Sequence, residues 1–192
     1  MINNLKTKNN SLKDKNIPSL TFFQKLKMLI SSPNNFFDII FKSEHSLKPS
    51  IRFYLIIQAV VFFIGLLPFL FLNPGSVVWS FFLYIISFLI GIALFFLILL
   101  VYHLVVRLWG GANGYFRTFQ AFIYGMAPAL LLGWLPLINI LMVFYSIYLT
   151  ITGLVKLHQM PKSRAIAAYF TPVIITFLLV ILFAVTGLII SF

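Results

Sequence analysis

After Glu44 the sequence contains no aspartate or glutamate in its remaining 148 residues, and it contains no cysteine anywhere. The missing cysteines exclude disulfides, thiolate metal sites and a cysteine nucleophile, and they leave the redox compartment unread. The missing carboxylates exclude the acid pair of a glycosidase. They also remove the groups that proton relays and cation-coupled transporters place at membrane depth. General acid–base chemistry would fall to histidine or tyrosine alone. The three histidines, His45, His103 and His158, follow no paired-ligand spacing such as HExxH. Ser87 and Ser146 lack the glycine-flanked setting of a serine nucleophile. No enzyme, metal or cofactor is expected. A signal peptide is not expected either, because residues 1–19 (MINNLKTKNNSLKDKNIPS) are polar and lysine-rich with no apolar core. They read as a solvated, disordered basic arm.

Charge of either sign is scarce: 9% of the 192 residues are charged and 61% are hydrophobic, with a mean hydropathy of +1.06. A soluble domain averages about 25% charged residues. So few charges cannot cover so much apolar surface in water, and the solvent of this chain must be lipid. The formal net charge is +11. The basic residues neither cluster on one helix nor alternate with aromatics for base stacking, so nucleic acid is not an expected partner. Topology and anionic headgroups explain the charge more simply.

Five apolar stretches have the ~20 residues that a helix needs to cross a bilayer: about 53–72, 77–106, 118–135, 137–155 and 167–191. The second exceeds that need, and Gly91 is the expected place for a bend. The third and fourth are separated only by GWLPLIN and should form an antiparallel hairpin. Trp79, Trp109 and Trp134 fall at the ends of stretches, where amphipathic rings prefer the headgroup layer. The expected fold is an all-α bundle of five transmembrane helices, with domain limits of 1–19, 20–52 and 53–192.

The basic residues set the orientation. Nine Lys/Arg precede residue 53, Arg107 and Arg117 flank the next loop on that side, and Lys156, Lys162 and Arg164 flank the last, which accounts for all 14. With five spans every one lies on a single face. That face is expected to be cytoplasmic, with the N-terminus inside and the C-terminus outside.

Between the arm and the first span, TFFQKLKMLI and SPNNFFDIIFK are two-faced. Phe22, Phe23, Leu26, Leu29 and Ile30 oppose Gln24, Lys25 and Lys27, and Phe36, Phe37, Ile40 and Phe41 oppose Asp38 and Lys42. Ser32 suits an N-cap and Pro33 the first helical position. Both segments are expected to be short amphipathic helices, lying in the membrane interface or packed on the cytoplasmic ends of the spans.

LWGGANGYFRTF, residues 108–119, joins the second and third stretches. GGANG matches no phosphate-binding loop, and no strand precedes it. Gly110, Gly111, Asn113 and Gly114 tolerate the positive φ of a helix cap and turn. Arg107, Arg117, Lys156, Lys162 and Arg164 are expected to meet lipid headgroups. In the third stretch small residues recur at Ala121, Gly125, Ala129 and Gly133, a spacing that lets helix backbones approach closely in lipid. Whether this ridge meets another span or a second copy of the chain is left open.

The order SPNNFF, His103…Arg107, GGANGYFRTFQAFIYGMAP, a hairpin and Gly153-Leu154…His158 resembles the YIP family of five-span membrane proteins across roughly residues 20–190. The eukaryotic branch carries a Tyr-Gly-Tyr-Ser run. Tyr124-Gly125-Met126-Ala127, followed by Pro128, agrees with it at two positions and looks more like the prokaryotic members. The resemblance implies a role in membrane traffic or shaping and, in the eukaryotic branch, binding of prenylated Ypt/Rab GTPases. This chain has a short basic arm where those members carry a long acidic region. The expected function is a non-enzymatic protein that organises or shapes membrane or recruits cytosolic partners. A small lipid or solute carrier or channel is the alternative.

Overall fold

The structure is a computed structural model that describes residues 20–72 and 77–190; the expected arm and the Asn73-Pro74-Gly75 turn lie outside the described residues. Among the described residues all regular structure is α-helical: α1 (Phe22–Ser31), α2 (Pro33–Ser43), α3 (Leu47–Leu72), α4 (Val77–Leu108), α5 (Tyr115–Leu132), α6 (Pro136–His158) and α7 (Lys162–Ile190).

Four of these, α3, α4, α6 and α7, are long and apolar enough to cross a membrane. The fifth expected span, α5, does not join them. It has 18 residues and opens with the polar run of Arg117, Thr118 and Gln120. Protein surrounds it rather than lipid: Thr118 through Gly125 are all buried, whereas α4 is exposed along most of its length. A helix enclosed by other helices need not be uniformly apolar. The span limits also differ from the expected ones. α3 starts at Leu47, so the expected boundary at residue 52/53 falls inside a continuous helix, and α4 runs unbroken through Gly91.

The ends of the helices follow local chemistry. Thr21 and Gln24 form a capping box at the start of α1. Ser32, expected to cap α2, makes no side-chain cap bond; Pro33 opens that helix instead. After α4, Gly110 adopts φ +92°. The Gly110 N–H donates to the Arg107 carbonyl (3.1 Å) and the Gly111 N–H to the Val106 carbonyl (2.8 Å), a Schellman closure. Gly111 also allows close packing, since a Cβ there would lie 2.9 Å from the Val106 carbonyl oxygen. The Asn113 side chain donates to the Leu157 carbonyl at 2.6 Å and docks the loop on the end of α6.

α5 and α6 form the antiparallel hairpin at the centre. A Cβ on Gly125 would come within 2.7 Å of the Thr150 Cα, and one on Gly153 within 3.0 Å of the Ala121 Cα. One step further along, the Ala129 N–H donates to Ser146 Oγ at 3.2 Å. The helix facing Ala121, Gly125 and Ala129 is therefore α6, through its own small residues Gly153, Thr150 and Ser146. Gly133 closes α5, its N–H bonded to the Ala129 carbonyl.

α1 and α2 do not present their apolar faces to lipid alone. Leu29, Phe36, Phe37 and Ile40 are fully buried within the protein. Phe36 packs edge-on against Tyr124, and Phe37 lies against Gly153. Phe23 and Ile30 alone keep large exposed apolar surfaces on this pair.

Candidate functional site

Where α1 and α2 enter the bundle, polar side chains from four elements meet. Lys25 on α1, Glu44 after α2, Ser50 on α3 and Gln120 and Tyr124 on α5 are all buried. Burying a carboxylate and an ammonium costs several kcal/mol per ion unless both are paired and hydrogen-bonded. Here both are. Lys25 Nζ lies 2.5 Å from Glu44 Oε1 and donates to the Tyr124 hydroxyl at 3.0 Å. Glu44 Oε2 accepts from Tyr124 (2.7 Å), Ser50 (2.9 Å) and the Gln120 amide (3.1 Å). The carboxylate has both oxygens occupied, and the lysine sits 5.2 Å above the Tyr124 ring.

Arg117 extends the network. Its guanidinium donates to the carbonyls of Phe41 (2.9 Å) and Glu44 (3.1 Å) and to Gln120 Oε1 (2.8 Å). It therefore satisfies the orphan carbonyls at the end of α2. Arg117, expected at lipid headgroups, is half-buried and spends both of its terminal nitrogens on protein oxygens. Lys156 is likewise engaged, 2.9 Å from Asp38 on α2. Arg107, Lys162 and Arg164 are exposed.

A second cluster lies beneath the glycine loop. The Thr118 hydroxyl stands 2.9 Å from His103 Nδ1 and 2.9 Å from His158 Nε2. Since the hydroxyl has one proton, it can donate to at most one of the two rings and must accept from the other. The cluster joins α4, α5 and α6 at the end where their loops meet. Among the described residues no group of three metal-ligating side chains gathers.

The far side of the hairpin sets how deep α1 and α2 reach. The Tyr145 hydroxyl lies 3.1 Å from the carbonyls of both Leu29 and Ile30. Tyr145 is 13 residues from the end of α6 at His158, roughly 20 Å at ~1.5 Å per residue. The α1–α2 turn is thus sunk more than halfway along α6.

This union of an α5–α6 hairpin, a glycine-closed loop and a buried Tyr124-Gly125 pair coincides with a family model, the Yip1 domain, which matches residues 27–184. The chain belongs to the Yip1 domain family. Comparison with curated proteins gave no significant match, and neither did comparison with solved structures. As a Yip1-domain protein with four long apolar helices it is a multi-pass membrane protein. Tyr124 and Gly125, the positions shared with the eukaryotic run, have separate physical tasks here. The tyrosine binds Glu44, and the glycine admits Thr150.

Sequence reasoning missed the junction. The two-faced pattern sets Lys25 opposite the apolar side of α1, and Glu44 stands out only as the last acid before the spans. The contacts join residues 19, 80 and 99 apart in sequence, so no helical spacing marks them. One usable signal was the rarity of acid itself. With 14 basic and three acidic residues, a carboxylate next to the first span is far outnumbered by cations that can pair with it.

Proposed function

We propose that this Yip1-domain protein is a non-enzymatic membrane organiser that acts by its shape. The observation that carries this reading is the position of the α1–α2 hairpin. Its contacts fall on residues 145–156 of α6, 117–124 of α5 and the start of α3. Most lie in the half of the bundle that carries the basic loops, with the α1–α2 turn reaching past the midpoint of α6. That half holds most of α1 and α2 in addition to the long helices, so most of the added width falls on the side of the basic loops. A cross-section larger in one leaflet favours bending toward the other, as interfacial helices do by wedging.

The reading takes α5 as a fifth span. If α6 crosses, the antiparallel α5 packed along it crosses with it, and its polar first turns are shielded by α2. It also takes the basic, wide end as cytoplasmic, with the C-terminus outside. Recruitment of a cytosolic partner, a small GTPase by family analogy, would use that same end. The carrier alternative is weakened because the buried carboxylate has no free oxygen for a substrate.

The test is reconstitution of the full chain into large vesicles at increasing protein-to-lipid ratio, with electron cryo-microscopy of their outlines. Narrower vesicles or tubules are expected. Unchanged curvature at high protein density would defeat the shaping role, and saturable uptake of a solute would establish the carrier instead.

A further inference from the structure

A cavity of about 550 Å³ opens between α1 and α3, and a shallower space of about 650 Å³ adjoins it along the outer face of α3 alone. They share Lys48, Arg52 and Ile56, so they form one continuous groove with a basic middle. The volume between α1 and α3 falls within the range of ligand sites, ~300–1,000 Å³. The upper part contains the start of α1 at Thr21 and Phe22, where the positive end of the helix dipole opens. The lower part runs down α3 past Leu55 and Ala59 and is almost wholly apolar.

The two cations are uncommitted. Lys48 and Arg52 are exposed, and neither has a carboxylate partner among the described residues. The described acids, Asp38 and Glu44, are taken by Lys156 and Lys25. Lys25 also lines the groove, but Glu44 neutralises it, so the mouth carries a net charge of two from Lys48 and Arg52. Below Arg52 the groove is lined by Leu55, Ile56 and Ala59. Charge above and hydrocarbon surface below, within one groove along a helix that spans, match an amphiphile standing upright in one leaflet.

We propose that this groove is a binding site for an anionic glycerophospholipid. Its phosphate lies between Lys48 and Arg52 at the amino end of α1, and an acyl chain follows Ile56, Leu55 and Ala59. The cations differ from the exposed loop residues Arg107 and Arg164, which line neither part of the groove. A soluble phosphate would satisfy the mouth and leave the apolar half empty, so the continuity of the two cavities favours lipid. The site does not depend on the shaping role and holds for either orientation of the protein.

The test uses native mass spectrometry of the full-length protein in detergent, with dioleoyl phosphatidylglycerol and dioleoyl phosphatidylcholine as probes. Two cations at about 1 kcal/mol each correspond to about 30-fold preference for the anionic lipid. Lys48→Gln with Arg52→Gln should lower phosphatidylglycerol retention to the phosphatidylcholine level and leave phosphatidylcholine unchanged, which also shows that the variant is folded. Ala59→Trp should reduce retention of both lipids. Arg107→Gln with Arg164→Gln should change neither. Equal retention of the two lipids by the native chain would overturn the site, as would an equal loss in the Arg107/Arg164 variant, which would mark diffuse surface charge. Displacement of the lipid by glycerol phosphate at the same concentration would overturn it too, in favour of a free-phosphate site.

Discussion

Glu44 shows how one residue's role is decided by its partners. In sequence it is an acid beside a basic flank; in the fold it receives four hydrogen-bond donors from Lys25, Ser50, Gln120 and Tyr124. Replacing it with alanine strands the Lys25 ammonium in a buried site, and breaking a buried pair from one side costs about 3–5 kcal/mol. Glu44→Ala should therefore unfold in detergent at clearly lower denaturant. Adding Lys25→Met should restore much of the loss, since an apolar pair of similar volume is often neutral. If the single variant is as stable as the native chain, the junction does not hold the helices together. Gly125 is decided in the same way. A leucine there must displace the Thr150 backbone, and overpacking costs about 1–3 kcal/mol. Leu131→Phe, away from that contact, should be milder, and equal melting of the two variants would contradict the close α5–α6 approach.

At the scale of elements, α1 and α2 differ most from their appearance in the sequence. Their two-faced pattern is the same whether the apolar side meets lipid or protein, because periodicity reports only that one face is dry. Phe36, Phe37 and Ile40 turn out to be core. Removal of residues 1–44 should therefore leave a bundle that aggregates or elutes broadly on size exclusion, since losing a single buried Phe to Ala costs about 3–5 kcal/mol. Removal of residues 1–19 alone should leave a sharp, native-like peak. A monodisperse 45–192 chain with native thermal stability would show that the hairpin is an accessory. The helices themselves were legible: length and apolarity located α3, α4, α6 and α7, and the GWLPLIN junction located the α5–α6 turn. Their limits were less so. Between Leu47 and Phe53 the chain carries Lys48, Ser50 and Arg52, so apolarity places the start of the span after the start of the helix, and α5 tolerates polar residues that a lipid-facing helix would not.

For the whole molecule the open question is how many times the chain crosses the membrane. Single cysteines at Ala112, Leu137 and Ser163 mark the start of α5, the hairpin between α5 and α6, and the start of α7. A membrane-impermeant maleimide should reach Ala112→Cys and Ser163→Cys from one side and Leu137→Cys from the other, with Ser163 cytoplasmic. Labelling of Ala112 and Leu137 from the same side would end the five-span topology, and with it the argument that the wide end lies in one leaflet.

Composition alone determined that the chain lives in lipid, that its folded part is helical, and that it offers no thiol and only three carboxylates. These follow from sums over many residues, which no single packing choice can reverse. The order of its short motifs determined the family. Tertiary structure alone decided that α6 faces the small residues of α5, that Arg117 caps α2, and that Lys25 and Glu44 close a buried junction. Each of those depends on residues far apart in sequence coming within about 3 Å, and a pairing of that kind leaves no period, spacing or composition in the chain from which it could be read.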